Sequence, residues 1–225
     1  MHTLLFLIVF AASQPKTACT PQFAPLRTGS YSGDSKIPFW PKEEGSQWQG
    51  GGWIGWNISG DSLEPVRLTV KNRPKEENDD HEYVTVEIAP DVTYAVRCMP
   101  SVRAGRIHNA GIANHELDFD GPLNIAIGKA HYVVRLQATD QHLTDAKVVL
   151  SNGRQTQVLY DAAEGFTDEP HFNIEWAGDL DRDGRLDLVV NLSRKYSLHP
   201  HRLLLSSRAR AGQLVGEAGV FVSSD

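Results

Sequence analysis

Apolar residues recur at every second position in segment after segment of this chain. No window of about eleven residues sustains the 3.6-residue spacing of an amphipathic helix. Val66, Leu68 and Val70 share one face of an extended strand, as do Val84, Val86 and Ile88, and then Val92, Tyr94, Val96 and Cys98. The same pattern predicts strands at 123–127, 131–137, 146–150, 155–160, 202–207 and 219–222. Asn152-Gly153 lies between two of them, a dipeptide that favours a type I′ hairpin turn. The expected fold is all-β, either an antiparallel β-sandwich or two small β modules. The first module would cover 53–117 and the second 118–225, with the Gly-, Asn- and Asp-rich stretch 108–122 at their boundary.

One segment has nameable chemistry. Residues 179–187 read Asp-Leu-Asp-Arg-Asp-Gly-Arg-Leu-Asp, with carboxylates at positions 1, 3, 5 and 9. A hard cation such as Ca²⁺ takes about 6 to 8 oxygens, and such a loop supplies most of them. Asp179, Asp181, Asp183 and Asp187 fill the side-chain places, Arg185 offers its backbone carbonyl while its guanidinium points outward, and Gly184 takes the sharp bend. An EF-hand would need flanking helices and a glutamate at position 12, which is Val190 here. The flanks alternate instead: Phe172, Ile174 and Trp176 precede the loop on one face, and Leu186, Leu188, Val190 and Leu192 follow it on one face. The loop joins two strands.

The run from Trp176 through Val190 resembles the calcium loop of FG-GAP repeats, found in integrin α-chain propellers and in related exported bacterial proteins. The resemblance implies Ca²⁺ as cofactor, held by Asp179, Asp181, Asp183, Asp187 and the Arg185 carbonyl. It does not imply a propeller, because a propeller stacks about 4 to 8 blades and this chain of 225 residues carries one such loop.

Leu4–Ala12 is an apolar run too short to span a bilayer, followed by small residues, which predicts a signal peptide over 1–18 and a periplasmic or secreted mature chain with no transmembrane segment. Lys16 counts against a lipoprotein anchor at Cys19. In an oxidising compartment Cys19 and Cys98 are candidates for one disulfide. Residues 19–52, with scattered prolines and glycines, read as an extended arm. The net charge of -6 gives no footprint for nucleic acid.

Trp48, Trp53 and Trp56 surround Gly50-Gly51-Gly52 and are candidates either for core plugs or for an aromatic platform that binds sugar rings. No nucleophile elbow or fixed-spacing zinc motif is present, and His199-Pro200-His201, or His108 with His115, are the nearest approaches to a metal pair. Asp118 and Asp120 form a shortened acidic pattern, a minor candidate for a second ion site, and the run 79–82 reads as solvated loop. The expected function is binding to another protein, with glycan or cell-wall binding as the alternative and a hydrolase with spatially assembled carboxylates as the third reading.

Overall fold

The computed structural model describes residues 19–27, 39–75, 79, 81–88, 91–119, 121–139, 143, 145–162 and 168–224. The predicted leader lies outside them. In chain order the elements are β1 (Gln22–Pro25), β2 (Phe39–Pro41), the one-turn helix α1 (Lys42–Gly45), a 3-10 turn at Ser46–Trp48, β3 (Gly50–Trp56), β4 (Ser62–Asn72), β5 (Tyr83–Glu87), β6 (Tyr94–Arg97), β7 (Gly105–Arg106), β8 (His108–Glu116), β9 (Leu123–Ile127), β10 (Ala130–Gln137), β11 (Lys147–Ser151), β12 (Thr156–Asp161), β13 (His171–Asp179), β14 (Asp187–Ser193), β15 (Leu198–Leu205), a 3-10 turn at Ser206–Arg208, and β16 (Gly216–Ser224).

These strands form three curled antiparallel sheets and not a closed propeller. A seven-stranded sheet runs β1-β6-β3-β4-β5-β2, with β7 added on β4. A four-stranded sheet runs β12-β11-β10-β9, and a five-stranded sheet runs β16-β15-β14-β13-β8.

The five-stranded sheet lies between the other two. Leu188, Val190 and Leu192 of β14, with Phe172 and Ile174 of β13, pack on Ile125, Tyr132, Val134, Val148 and Leu150 of the four-stranded sheet. On the opposite face Trp176, Val189, Leu203 and Leu205 pack on Phe23, Trp56, Leu63, Tyr94 and Val96 of the seven-stranded sheet. Every residue of β14 is therefore buried, as expected for a strand covered on both faces. A third apolar cluster fills the curl of the seven-stranded sheet, where Trp40, Trp48, Trp53, Leu68 and Val92 meet Phe221 of β16.

Several expectations change. The arm at 19–52 contains β1, β2 and α1, because backbone pairing to β6 and β5 orders a segment with little apolar periodicity. The stretch at the expected boundary contains β8, which pairs along β13 with mostly exposed side chains, so its strand identity rests on backbone hydrogen bonds and not on a hydrophobic pattern. Trp176 does not share a face with Phe172 and Ile174. The β13–β14 register shifts between Ile174 and Trp176, and this bulge at Glu175 turns Trp176 toward the seven-stranded sheet. The β11–β12 hairpin closes with Ser151 opposite Thr156. Asn152 keeps a negative φ and its Oδ1 accepts hydrogen bonds from the Arg154 and Gln155 amides, so the turn is an Asx-type loop in place of a type I′ turn.

Trp48, Trp53 and Trp56 are 1%, 0% and 1% exposed. They form no solvent-facing platform. Trp53 Nε1 donates to the Trp48 carbonyl at 3.1 Å, Arg97 lies 4.6 Å over the Trp53 ring, and Trp56 meets Trp176 edge-on. These indoles serve as large apolar plugs of the kind that dominate core energetics.

Cys19 and Cys98 are joined in a disulfide, with Cα atoms 5.6 Å apart, next to the β1–β6 ladder that starts at the Gln22–Arg97 pair. The bond closes a loop of 79 residues and restricts the unfolded chain accordingly. Replacing both cysteines by serine is expected to lower stability by about 2–4 kcal/mol in urea unfolding. A change below about 0.5 kcal/mol would show that the bond constrains nothing.

Candidate metal centre

β13 ends at Asp179 and β14 begins at Asp187, so antiparallel pairing of these strands brings the two ends of the acidic loop together. Gly178 stands opposite Asp187. The loop between them turns through Gly184 at φ +79°, a conformation that costs glycine little and other residues more. Asp179, Asp181 and Asp187 each bring a carboxylate oxygen within 4.8 Å of the others, which makes them, among the described residues, the group of three or more ligating side chains whose donor atoms converge.

Each aspartate is held differently. Asp187 has 0% exposure, and its two oxygens bind separate segments. Oδ2 accepts from the Leu180 amide at 2.7 Å and from the Asp181 amide at 3.3 Å, while Oδ1 accepts from the Ser206 amide at 2.7 Å. Asp179, buried at the end of β13, accepts from the Asp183 and Gly184 amides at 3.0 and 2.9 Å and shapes the bend. Asp181 Oδ2 accepts from the Ser207 hydroxyl, but its Oδ1 is buried and has no hydrogen-bond partner.

Asp183 is not one of this converging group. Its Oδ2 accepts from the Ser206 hydroxyl at 2.7 Å and from Arg185 Nε and NH2 at 3.0 and 2.5 Å. The Arg185 guanidinium is exposed and forms its ion pair with Asp183. Arg182 anchors the loop from outside: its guanidinium donates to the carbonyls of Arg103 and Ala104 at 2.9 and 3.4 Å. A side chain at Gly105, whose φ is +129°, would collide with that guanidinium.

The electrostatics are those of a carboxylate group that could hold a cation. Burial pushes the Asp187 carboxyl up to about 7, opposed by the amides of Ser206 and Leu180 and reinforced by the negative charge of Asp181. Burial also raises Asp181, against the Ser207 hydrogen bond, with the charges of Asp183 and Asp179 adding to the rise. Asp183 moves the other way, because hydrogen bonds from Ser206 and Arg185 outweigh its burial. Three convergent carboxylates, one fully buried and one with an orphaned buried oxygen, fit a hard cation: the donor set is all oxygen, with no nitrogen or sulfur in it.

Ser206 and Ser207 were not visible as site residues in the sequence. They reach the loop because Leu188 pairs with Leu204, which carries the next turn of chain over Asp187. The remaining sequence candidates lie elsewhere. His108 and His115 sit at opposite ends of β8, opposite Asp179 and Ile174 respectively. Asp79 pairs with Arg73 at 3.2 Å and Glu82 with Lys42 at 2.6 Å. Asp120 lies outside the described residues.

No family model, curated protein or solved structure matches the chain. Among the described residues no helix is long and apolar enough to cross a membrane.

The raised Asp187 pKa sets the sign of a pH effect. The folded, metal-free protein holds this proton more tightly than the unfolded chain, so the contribution is fully present below the unfolded value of 3.8 and is lost as pH rises through about 7. The loss is on the order of 4 kcal/mol. Urea midpoints of metal-stripped protein should therefore fall between pH 4 and 8, and fall less in Asp187→Asn. Equal slopes in the two proteins would contradict the assignment.

Proposed function

We propose that this chain is an exported, calcium-stabilised binding protein that acts through contact with another protein, and that its ion is structural. The observation that carries the reading is the convergence of Asp179, Asp181 and Asp187 around the unpartnered Oδ1 of Asp181. The likeness of residues 176–190 to an FG-GAP calcium loop supports Ca²⁺ as the ion. The all-oxygen donor set agrees with it. Asp183 and the Arg185 carbonyl are the loop's further candidates for completing the shell.

A structural role follows from what the aspartates hold. Asp187 joins the start of the loop to the turn after β15, Asp181 binds Ser207 of the same turn, and Arg182 ties the loop to the segment before β7. A cation neutralising the triad would fasten these segments as one unit. Outside the cytoplasm a weak site of about 10⁻⁴ to 10⁻³ M suffices. The Cys19–Cys98 disulfide supports an oxidising compartment.

A protein partner is supported by the outer edge of the five-stranded sheet. Val220 and Val222 are each 45% exposed on the edge strand β16, and Leu198 is exposed on its neighbour β15. Apolar side chains on an open edge are a common basis for strand addition.

Thermal unfolding of the full chain in CaCl₂ and in EDTA tests the reading. At about 100 times the dissociation constant, Ca²⁺ should add about 2.7 kcal/mol, which raises Tm by roughly 5–10 °C for a chain of this size. Asp181→Asn should abolish the response while melting in EDTA at or above the wild-type temperature, since it removes a buried repulsive charge. Identical melting of the wild type in CaCl₂ and EDTA would refute the proposal.

A further inference from the structure

The five-stranded sheet carries a second set of metal-competent side chains at its other end. His171 begins β13 and Asp179 ends it, so the two regions are about 25 Å apart along the strand. His201 of β15 stands opposite Asn191 of β14, and His171 stands opposite Ser193. His199, two residues from His201, projects to the same face. The ring centres of His171 and His199 are 5.1 Å apart, and those of His199 and His201 are 6.4 Å apart. Pro200 lies beyond the last β14–β15 pair, at Asn191 and His201, so its missing N–H breaks no bond to β14.

The rings are held as ligand imidazoles usually are, by a partner on the nitrogen that does not bind metal. His201 Nδ1 donates to Glu175 Oε1 at 2.8 Å, and both side chains are nearly fully buried. That bond fixes the tautomer and leaves the Nε2 lone pair buried with no hydrogen-bond partner. A buried polar atom in this condition carries an uncompensated desolvation cost, which a bound cation would offset. His171 Nε2 donates to Asn191 Oδ1 at 3.0 Å, leaving Nδ1 as its ligand nitrogen, and Asn191 Nδ2 lies 3.5 Å from His199 Nδ1. Glu175 is the extra residue of the β13 bulge, so the irregularity that turns Trp176 inward also supplies this carboxylate.

We propose that His171, His199 and His201 form a second site, independent of the acidic loop, for a borderline d-block cation such as Zn²⁺, with Glu175 and Asn191 orienting the rings. Imidazole nitrogens select such ions over Ca²⁺. With Zn–N of about 2.0–2.1 Å, two rings on one tetrahedral ion stand about 5 Å apart, centre to centre, and a spacing of about 6.4 Å would put their nitrogens on opposite sides of the ion. The His171–His199 pair has the tetrahedral spacing. The His199–His201 pair, at 6.4 Å, is wider than tetrahedral ligation allows, so the three nitrogens do not yet converge and His199 must close toward His201 on binding. His171 and His199 are half-buried and give the ion an approach from solvent, while His201 lies behind them.

The test is calorimetric titration of Zn²⁺ into the metal-stripped, untagged full chain in saturating CaCl₂, with visible absorption of Co²⁺ as a second probe of tetrahedral nitrogen ligation. One equivalent is expected. His199→Ala and, separately, His171→Ala should each weaken binding by about 10–100-fold, with circular dichroism confirming the fold, and Asp181→Asn should leave it unchanged. The proposal is overturned by absent Zn²⁺ binding, by displacement of Zn²⁺ with Ca²⁺, by loss of binding in Asp181→Asn, or by unchanged binding in both histidine variants. Because calcium loading is read separately from Asp181→Asn melting, failure here leaves the acidic loop's assignment standing.

Discussion

The Asp187 carboxylate is the point on which the lower end of the five-stranded sheet depends. It is fully buried, and its oxygens accept amides from Leu180 and Ser206, groups that belong to different turns and come together only when β13, β14 and β15 are paired. A carboxylate in that position is expensive to ionise. The protein offsets part of the cost with backbone hydrogen bonds and leaves the rest to be offset by a counter-charge. Arg185 of the loop is ion-paired with Asp183. The geometry could hold an ion here, and the buried Asp181 Oδ1 without a partner lies in the same group of carboxylates.

The surrounding architecture explains why so small a loop can matter to the whole chain. The five-stranded sheet is a shared middle layer, with one face in the core of the four-stranded sheet and the other in the core of the seven-stranded sheet. β14, which begins at Asp187, is its most buried strand. Fraying at its first residue would propagate to both interfaces, whereas a clamp there stabilises both. Arg182 ties the loop to the backbone at Arg103 and Ala104, in the connection between β6 and β7 of the seven-stranded sheet.

Much of this was legible in the sequence. The strands at 123–127 and 131–137 were readable because they bury one face and expose the other, so the pattern on β9 alternates strictly between buried and exposed. The acidic loop was readable because its carboxylates are local and its turn needs Gly184. What failed was structure specified by pairing and not by pattern. β3 opens on three glycines before its apolar half, and β8 buries almost nothing, so neither shows a strand-length alternation. The Glu175 bulge breaks the period at the one place where a residue must face the opposite layer. Ser206 and Ser207 reach the site only through the β14–β15 register, which no local spacing encodes. The tryptophans carried an ambiguous signal, since large rings beside glycines suit a core and a binding face equally, and burial decided for the core.

A crystal structure of the protein grown in CaCl₂, with anomalous data, tests the central claim most directly. The account predicts a peak bonded to oxygens of Asp179, Asp181 and Asp187 at about 2.3–2.6 Å. Ordered water alone among those carboxylates at saturating calcium would contradict it.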